Sequence, residues 1–136
     1  MQTKPAKRHF IVIDDDPVNN HICSKYIEIV FPEAEITTFT YPQKGLDHIQ
    51  ESYSGGPVKD TILLLDINMP VLSGWDVLER FMLFPDEVKK QFTIYILSSS
   101  VNFEDRKKAD SCALVAGFLE KPLSIERLQE LDKELA

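Results

Sequence analysis

Four short apolar runs in this chain each end on polar residues, and that arrangement limits the possible folds more than any other feature. Phe10-Ile11-Val12-Ile13 runs into Asp14-Asp15-Asp16, and Ile62-Leu63-Leu64-Leu65 runs into Asp66. Ile94-Tyr95-Ile96-Leu97 runs into Ser98, and Gly117-Phe118-Leu119-Glu120 runs into Lys121-Pro122. An open parallel sheet lines up the carboxyl ends of its strands along one edge, where ligands bind. Acids, a hydroxyl and an ammonium converging on such an edge suit a divalent cation and a phosphoryl group.

The stretches between these runs read as helices. Strands are expected at His9–Ile13, Glu35–Phe39, Thr61–Leu65, Thr93–Leu97 and Gly117–Glu120. Helical spacing is expected at Pro17–Phe31, Pro42–Ser52, Ser73–Leu83, Phe103–Val115 and Ser124–Leu135. The first helix would bury a stripe of Val18, Ile22, Tyr26, Ile29 and Val30, while Phe84–Gln91 reads as a polar connection. Thr61–Leu65 is apolar without alternation, as a central strand covered on both faces should be. Strict strand–helix alternation predicts an α/β fold with one parallel sheet. It is expected to be a single domain over 9–135 after a polar lead over 1–8, with no effector domain.

Composition excludes several classes. Fifteen Lys and Arg against 22 Asp and Glu give a net charge of −7, which disfavours direct nucleic-acid binding or adhesion to anionic membranes. No apolar run approaches the roughly 20 residues of a membrane span, and the apolar stretch near the start is too short for a signal peptide. A cytoplasmic location without membrane insertion is the resulting expectation. Cys23 and Cys112 lack the close spacing of a metal knuckle or redox pair and read as buried free thiols. His9, His21 and His48 show no ligand spacing.

Asp16 before Pro17 is a good helix start, with Asp at the N-cap and Pro at the first helical position. That leaves Asp14 and Asp15 unexplained, because neighbouring carboxylates raise each other's pKa unless a cation compensates them. Mg²⁺ fits, since it takes oxygen ligands from one or two carboxylates together with water and phosphate. Asp66 alone could be a turn former ahead of Met69-Pro70. Beside Asp14 and Asp15 it becomes a candidate nucleophile giving a mixed phosphoric–carboxylic anhydride. Ser98, first in Ser98-Ser99-Ser100, is the hydroxyl best placed to reach the edge. Lys121 could neutralise charge developing on a transferred phosphoryl group. Gly74 suggests close approach at a helix start, and Arg106-Lys107-Lys108 reads as a solvated helix face.

Taken together, Val12-Ile13-Asp14-Asp15-Asp16-Pro17, Leu64-Leu65-Asp66-Ile67-Asn68-Met69-Pro70 with Gly74, Ile96-Leu97-Ser98-Ser99 and Phe118-Leu119-Glu120-Lys121-Pro122 resemble response-regulator receiver domains of the CheY-like type. The resemblance runs from about His9 to Leu135. It implies a (βα)5 doubly wound, five-stranded parallel sheet of flavodoxin/CheY-like order 2-1-3-4-5. It also implies that Asp66 accepts a phosphoryl group from a phosphohistidine on a histidine kinase or histidine phosphotransfer protein. Asp15 and Asp66 would ligate Mg²⁺ directly, joined by the Asn68 backbone carbonyl, and Asp14 would act mainly through a metal-bound water. Ser98 and Lys121 would each contact a phosphoryl oxygen, and the Lys121–Pro122 peptide would be cis. Ser99 and Phe118 would belong to the switch, which remodels the face of the fourth helix, fifth strand and fifth helix for a downstream protein target. Asn68 and Ser100 flank the site at positions that tune phosphoryl loss. The expected state is a monomer or weak dimer that undergoes its own phosphorylation without being a turnover enzyme.

Two other readings share some of these residues. Phosphatases of the haloacid dehalogenase type also use a strand-end aspartate with Mg²⁺, but need a second aspartate where this chain has Asn68. A pseudo-receiver binds partners without phosphorylation, although its acid set would normally be degraded and here it is complete. The chain could equally be the receiver end of a hybrid histidine kinase.

Overall fold

The computed structural model describes residues 8–99 and 102–135. Five parallel strands form one sheet: β1 (His9–Ile13), β2 (Glu35–Phe39), β3 (Thr61–Asp66), β4 (Phe92–Ser98) and β5 (Val115–Glu120), in the order β2-β1-β3-β4-β5. Six helices connect them: α1 (Pro17–Val30), α2 (Pro42–Tyr53), α3 (Gly74–Phe81), α4 (Asp86–Lys89), α5 (Phe103–Asp110) and α6 (Ile125–Leu135). The expected fourth and fifth helices are therefore α5 and α6. The expected doubly wound fold and strand order are both present.

Alternation along the strands divides the core in two, because successive side chains leave a strand on opposite faces. Ile11, Ile13, Leu63, Leu65, Ile94 and Ile96 pack with Leu46 and Ile49 of α2 and Val77, Leu78 and Phe81 of α3. Phe10, Val12, Ile62, Leu64, Tyr95 and Leu97 pack instead with Cys23 and Ile27 of α1 and Leu128 and Leu131 of α6. β3 is buried at every position, as its unbroken apolar run requires. β1 and β3 lie side by side with Ile13 opposite Leu65, so the residues that follow each strand emerge together.

Helix starts obey local chemistry. Asp16 caps α1 by accepting the Val18 N–H, and Pro17 opens the helix without a lost hydrogen bond. Ser73 and Asp76 form a reciprocal capping box at α3.

Five expectations need correction. The buried stripe of α1 is Asn19, Asn20, Cys23 and Ile27, whereas Val18 and Ile29 are exposed. The helix turns its two asparagines inward because the end of β1 supplies polar partners for them. The segment after α3 is not featureless: α4 makes one turn there, anchored by buried Val88 and by Gln91, whose amide donates to the Tyr53 and Glu87 carbonyls. α3 stops at Phe81, leaving Met82 and Leu83 exposed. α5 stops at Asp110 and β5 begins at Val115, because Val115, which resembled a helix end, instead opens the strand. Of the two thiols, Cys23 is buried but Cys112 only half-buried.

Candidate functional site

The carboxyl ends of β1 and β3 bring three acids together. One carboxylate oxygen from each of Asp14, Asp15 and Asp66 lies within 4.8 Å of the others. Asp14 and Asp66 are buried, while Asp15 faces outward. Lys121 enters from the end of β5, beside a cis Lys121–Pro122 peptide, and its ammonium sits 2.7 Å from Asp14 Oδ2 and 3.3 Å from Asp66 Oδ2. Ser98 ends β4, fully buried, and the Lys121 N–H donates to its carbonyl oxygen at 3.0 Å. Ser99 follows as an exposed loop residue. The sheet thus gathers Asp14, Asp15, Asp66, Ser98 and Lys121 at one edge.

The electrostatics follow from burial. Burial pushes the Asp66 carboxyl up to about 6, with the Asn68 N–H and Lys121 offsetting part of that and the Asp14 charge adding to it. Asp66 therefore still ionises near neutral pH. Burial alone would lower Lys121, but the hydrogen bond and charge of Asp14, helped by Asp66, raise it above its usual value. The ammonium is a fixed positive charge here.

Backbone geometry completes the pocket. The Asn68 N–H donates to Asp66 Oδ1 at 3.1 Å, an Asx turn that leads the exposed Asn68 away from the strand. Gly74 packs so tightly on the Asp66 carbonyl and the Ile67 Cα that a side chain would collide with both. The sequence anticipated this close approach. Trp75 then turns toward α5, its indole N–H donating to Asp105 Oδ1 at 3.3 Å. Phe118, on β5, is half-buried against the core with the Arg106 guanidinium 5.6 Å above its ring.

The sequence reading missed two residues. Asn19 donates to Asp14 Oδ2 at 2.6 Å, and Asn20 donates to the Asp14 carbonyl at 2.9 Å. The available signal was the pair of asparagines one helical turn beyond the acids. Ser100 lies outside the described residues.

The donor set fits a hard divalent cation. All three side chains offer oxygen, the donor that Mg²⁺ requires. With Asp66 ionised, three carboxylates against one ammonium leave two negative charges, matching one such ion. Among the described residues no helix is long and apolar enough to cross a membrane.

The response regulator receiver domain family matches residues 10–132. A response regulator receiver protein from Dyadobacter fermentans is 28% identical, with a TM-score of 0.82 over 93% of this chain and 96% of that one. A two component response regulator from Cytophaga hutchinsonii is 27% identical, with a TM-score of 0.84 over 96% of this chain and 98% of that one. The chemotaxis protein CheY4 of Vibrio cholerae shares the fold at 19% identity, with a TM-score of 0.78 over 96% of this chain and all 100% of that one. No curated protein matches the chain in sequence.

Proposed function

This chain belongs to the response regulator receiver family, and on that premise we propose that it takes a phosphoryl group onto Asp66 from a phosphohistidine. Receiver domains are signalling proteins that act with histidine kinases and downstream effectors, and they bind Mg²⁺ at an acidic pocket. The observation that carries the finer reading is the buried Asp66 carboxylate, flanked by Asp14 and Asp15 and reached by Lys121 at 3.3 Å.

In the proposed reaction an Asp66 carboxylate oxygen attacks phosphorus. A P–O bond forms as the P–N bond of the donor breaks, and the electron pair returns to the imidazole nitrogen. The product is an aspartyl phosphate, which water later cleaves to phosphate and free Asp66. Asp14, Asp15 and Asp66, with the Asn68 carbonyl, would hold Mg²⁺, whose charge would screen the repulsion between carboxylate and phosphoryl oxygens. Lys121 shifts from the carboxylates to a phosphoryl oxygen, keeping the new negative charge paired. The Ser98 hydroxyl donates to another phosphoryl oxygen. Drawing Ser98 inward moves Ser99, and Phe118, which lies beneath Arg106 before phosphorylation, changes rotamer and repacks inward. The α5-β5-α6 face would then bind its protein target differently in the two states.

The donor is a histidine kinase or a histidine phosphotransfer protein, and the working state is a cytoplasmic monomer or weak dimer. The test uses phosphoramidate, a small P–N donor. Intact-mass measurement should find one added phosphoryl group with Mg²⁺ present and none after chelation. An unlabelled protein under both conditions would refute the reading.

A further inference from the structure

We infer that Asn19 is a positioning residue for the phosphoryl site: its amide holds the buried Asp14 carboxylate in place so that Lys121 is free to leave it. The inference rests on the phosphoacceptor reading above and deepens it.

Asp14 is fully buried, and its carboxylate is occupied from three directions. The Asp16 N–H donates to Oδ1 at 2.9 Å, while Lys121 and Asn19 both reach Oδ2, at 2.7 and 2.6 Å. These three partners differ in how they can move. The Asp16 N–H is backbone. Lys121 is a long flexible side chain, 21% exposed, shared with Asp66. Asn19 is short and buried in the first turn of α1, which Asp16 caps and whose next residue, Asn20, is tied to the Asp14 carbonyl.

Lys121 cannot stay on Asp14 and also serve a phosphoryl group on Asp66. When it shifts, a buried carboxylate loses its ammonium, which is costly unless other donors remain. Asn19 is the side-chain donor that remains. An amide also suits the position chemically, since it donates without adding positive charge to a pocket that must attract a cation. The alternative is that Asn19 merely ties α1 to β1. Both roles would reduce stability on substitution, so the discriminating quantity is how metal binding and phosphoryl binding divide.

The test compares wild type with Asn19→Leu, which keeps the branched shape and removes the donor, Asn19→Ala, and Asn19→Gln, which restores an amide. Calorimetric titration measures the binding of Mg²⁺ alone and then of beryllofluoride, a tetrahedral phosphoryl mimic, in saturating Mg²⁺. Asn19→Leu should bind Mg²⁺ within about twofold of wild type but beryllofluoride about tenfold more weakly, and Asn19→Gln should recover most of that loss. Asn19→Ala gives the same comparison if the leucine variant does not fold. Equal weakening of both ligands, or unchanged beryllofluoride binding, would reduce Asn19 to a structural tie. A wild type that binds no beryllofluoride would overturn the phosphoacceptor reading instead, and this inference with it.

Discussion

The Lys121 ammonium lies closer to Asp14 Oδ2, at 2.7 Å, than to Asp66 Oδ2, at 3.3 Å. The lysine proposed to serve the phosphoryl group thus rests mainly on the acid that is not proposed to carry it. It is the only cation among the described residues paired with either buried carboxylate. Removing it should leave Asp14 and Asp66 buried without a counter-charge.

Lys121→Met should therefore destabilise the metal-free protein by ~2–3 kcal/mol, below the full value for a buried pair because the lysine is partly exposed. Saturating Mg²⁺ should recover more stability in this variant than in wild type, since a bound cation replaces the lost charge. Urea unfolding with and without Mg²⁺ measures both quantities. Equal Mg²⁺ stabilisation in the two proteins would contradict the pairing.

Gly74 sets a steric test. A methyl group there meets the Asp66 carbonyl and the Ile67 Cα, which are backbone and cannot rotate aside. Gly74→Ala should cost about 1–3 kcal/mol of stability. It should also slow phosphorylation by displacing the Asp66 turn, whereas substitution at the unobstructed Gly117 should leave the labelling rate near wild type. Parallel urea and labelling measurements would separate the two effects.

The raised Asp66 carboxyl predicts a pH dependence. Its value moves from 3.8 to about 6 on folding, so between those limits the folded chain keeps a proton that the unfolded chain has released. This contribution to metal-free stability is complete below about pH 4 and is lost as pH rises through about 6. Mg²⁺ requires the ionised form, so its affinity should behave oppositely. Affinity should be nearly flat above pH 7 and fall up to tenfold per unit below pH 6. Calorimetric titration at several pH values would detect this, and constant affinity from pH 5 to 7 would exclude Asp66 as a ligand.

The sheet and its acidic edge were legible because both rest on strong local signals. β1, β3 and β4 are apolar runs too short for helices, and Asp14, Asp66 and Ser98 each interrupt or end one. The first helix was harder. Periodicity treats Asn19 and Asn20 as surface residues and Val18 and Ile29 as core, yet the asparagines are buried because polar groups at the end of β1 receive them. α4 was invisible because a single turn has no period to detect. Its place is set by Gln91, which bonds to backbone far away in sequence at Tyr53 and Lys59. Val115 extends an apolar pattern that fits helix and strand equally, and its pairing with Ile94 of β4 decides for the strand. The proximity of Lys121 to Asp14 over Asp66 is likewise a tertiary distance with no local signature.

The most direct measurement is phosphorylation by acetyl phosphate with Mg²⁺, followed by intact-mass analysis and peptide mapping of wild type and Asp66→Asn. The account predicts one base-labile phosphoryl group on the peptide containing Asp66 in wild type and none in the variant. Undiminished labelling of Asp66→Asn, or a phosphoryl group mapped to another residue in wild type, would contradict it.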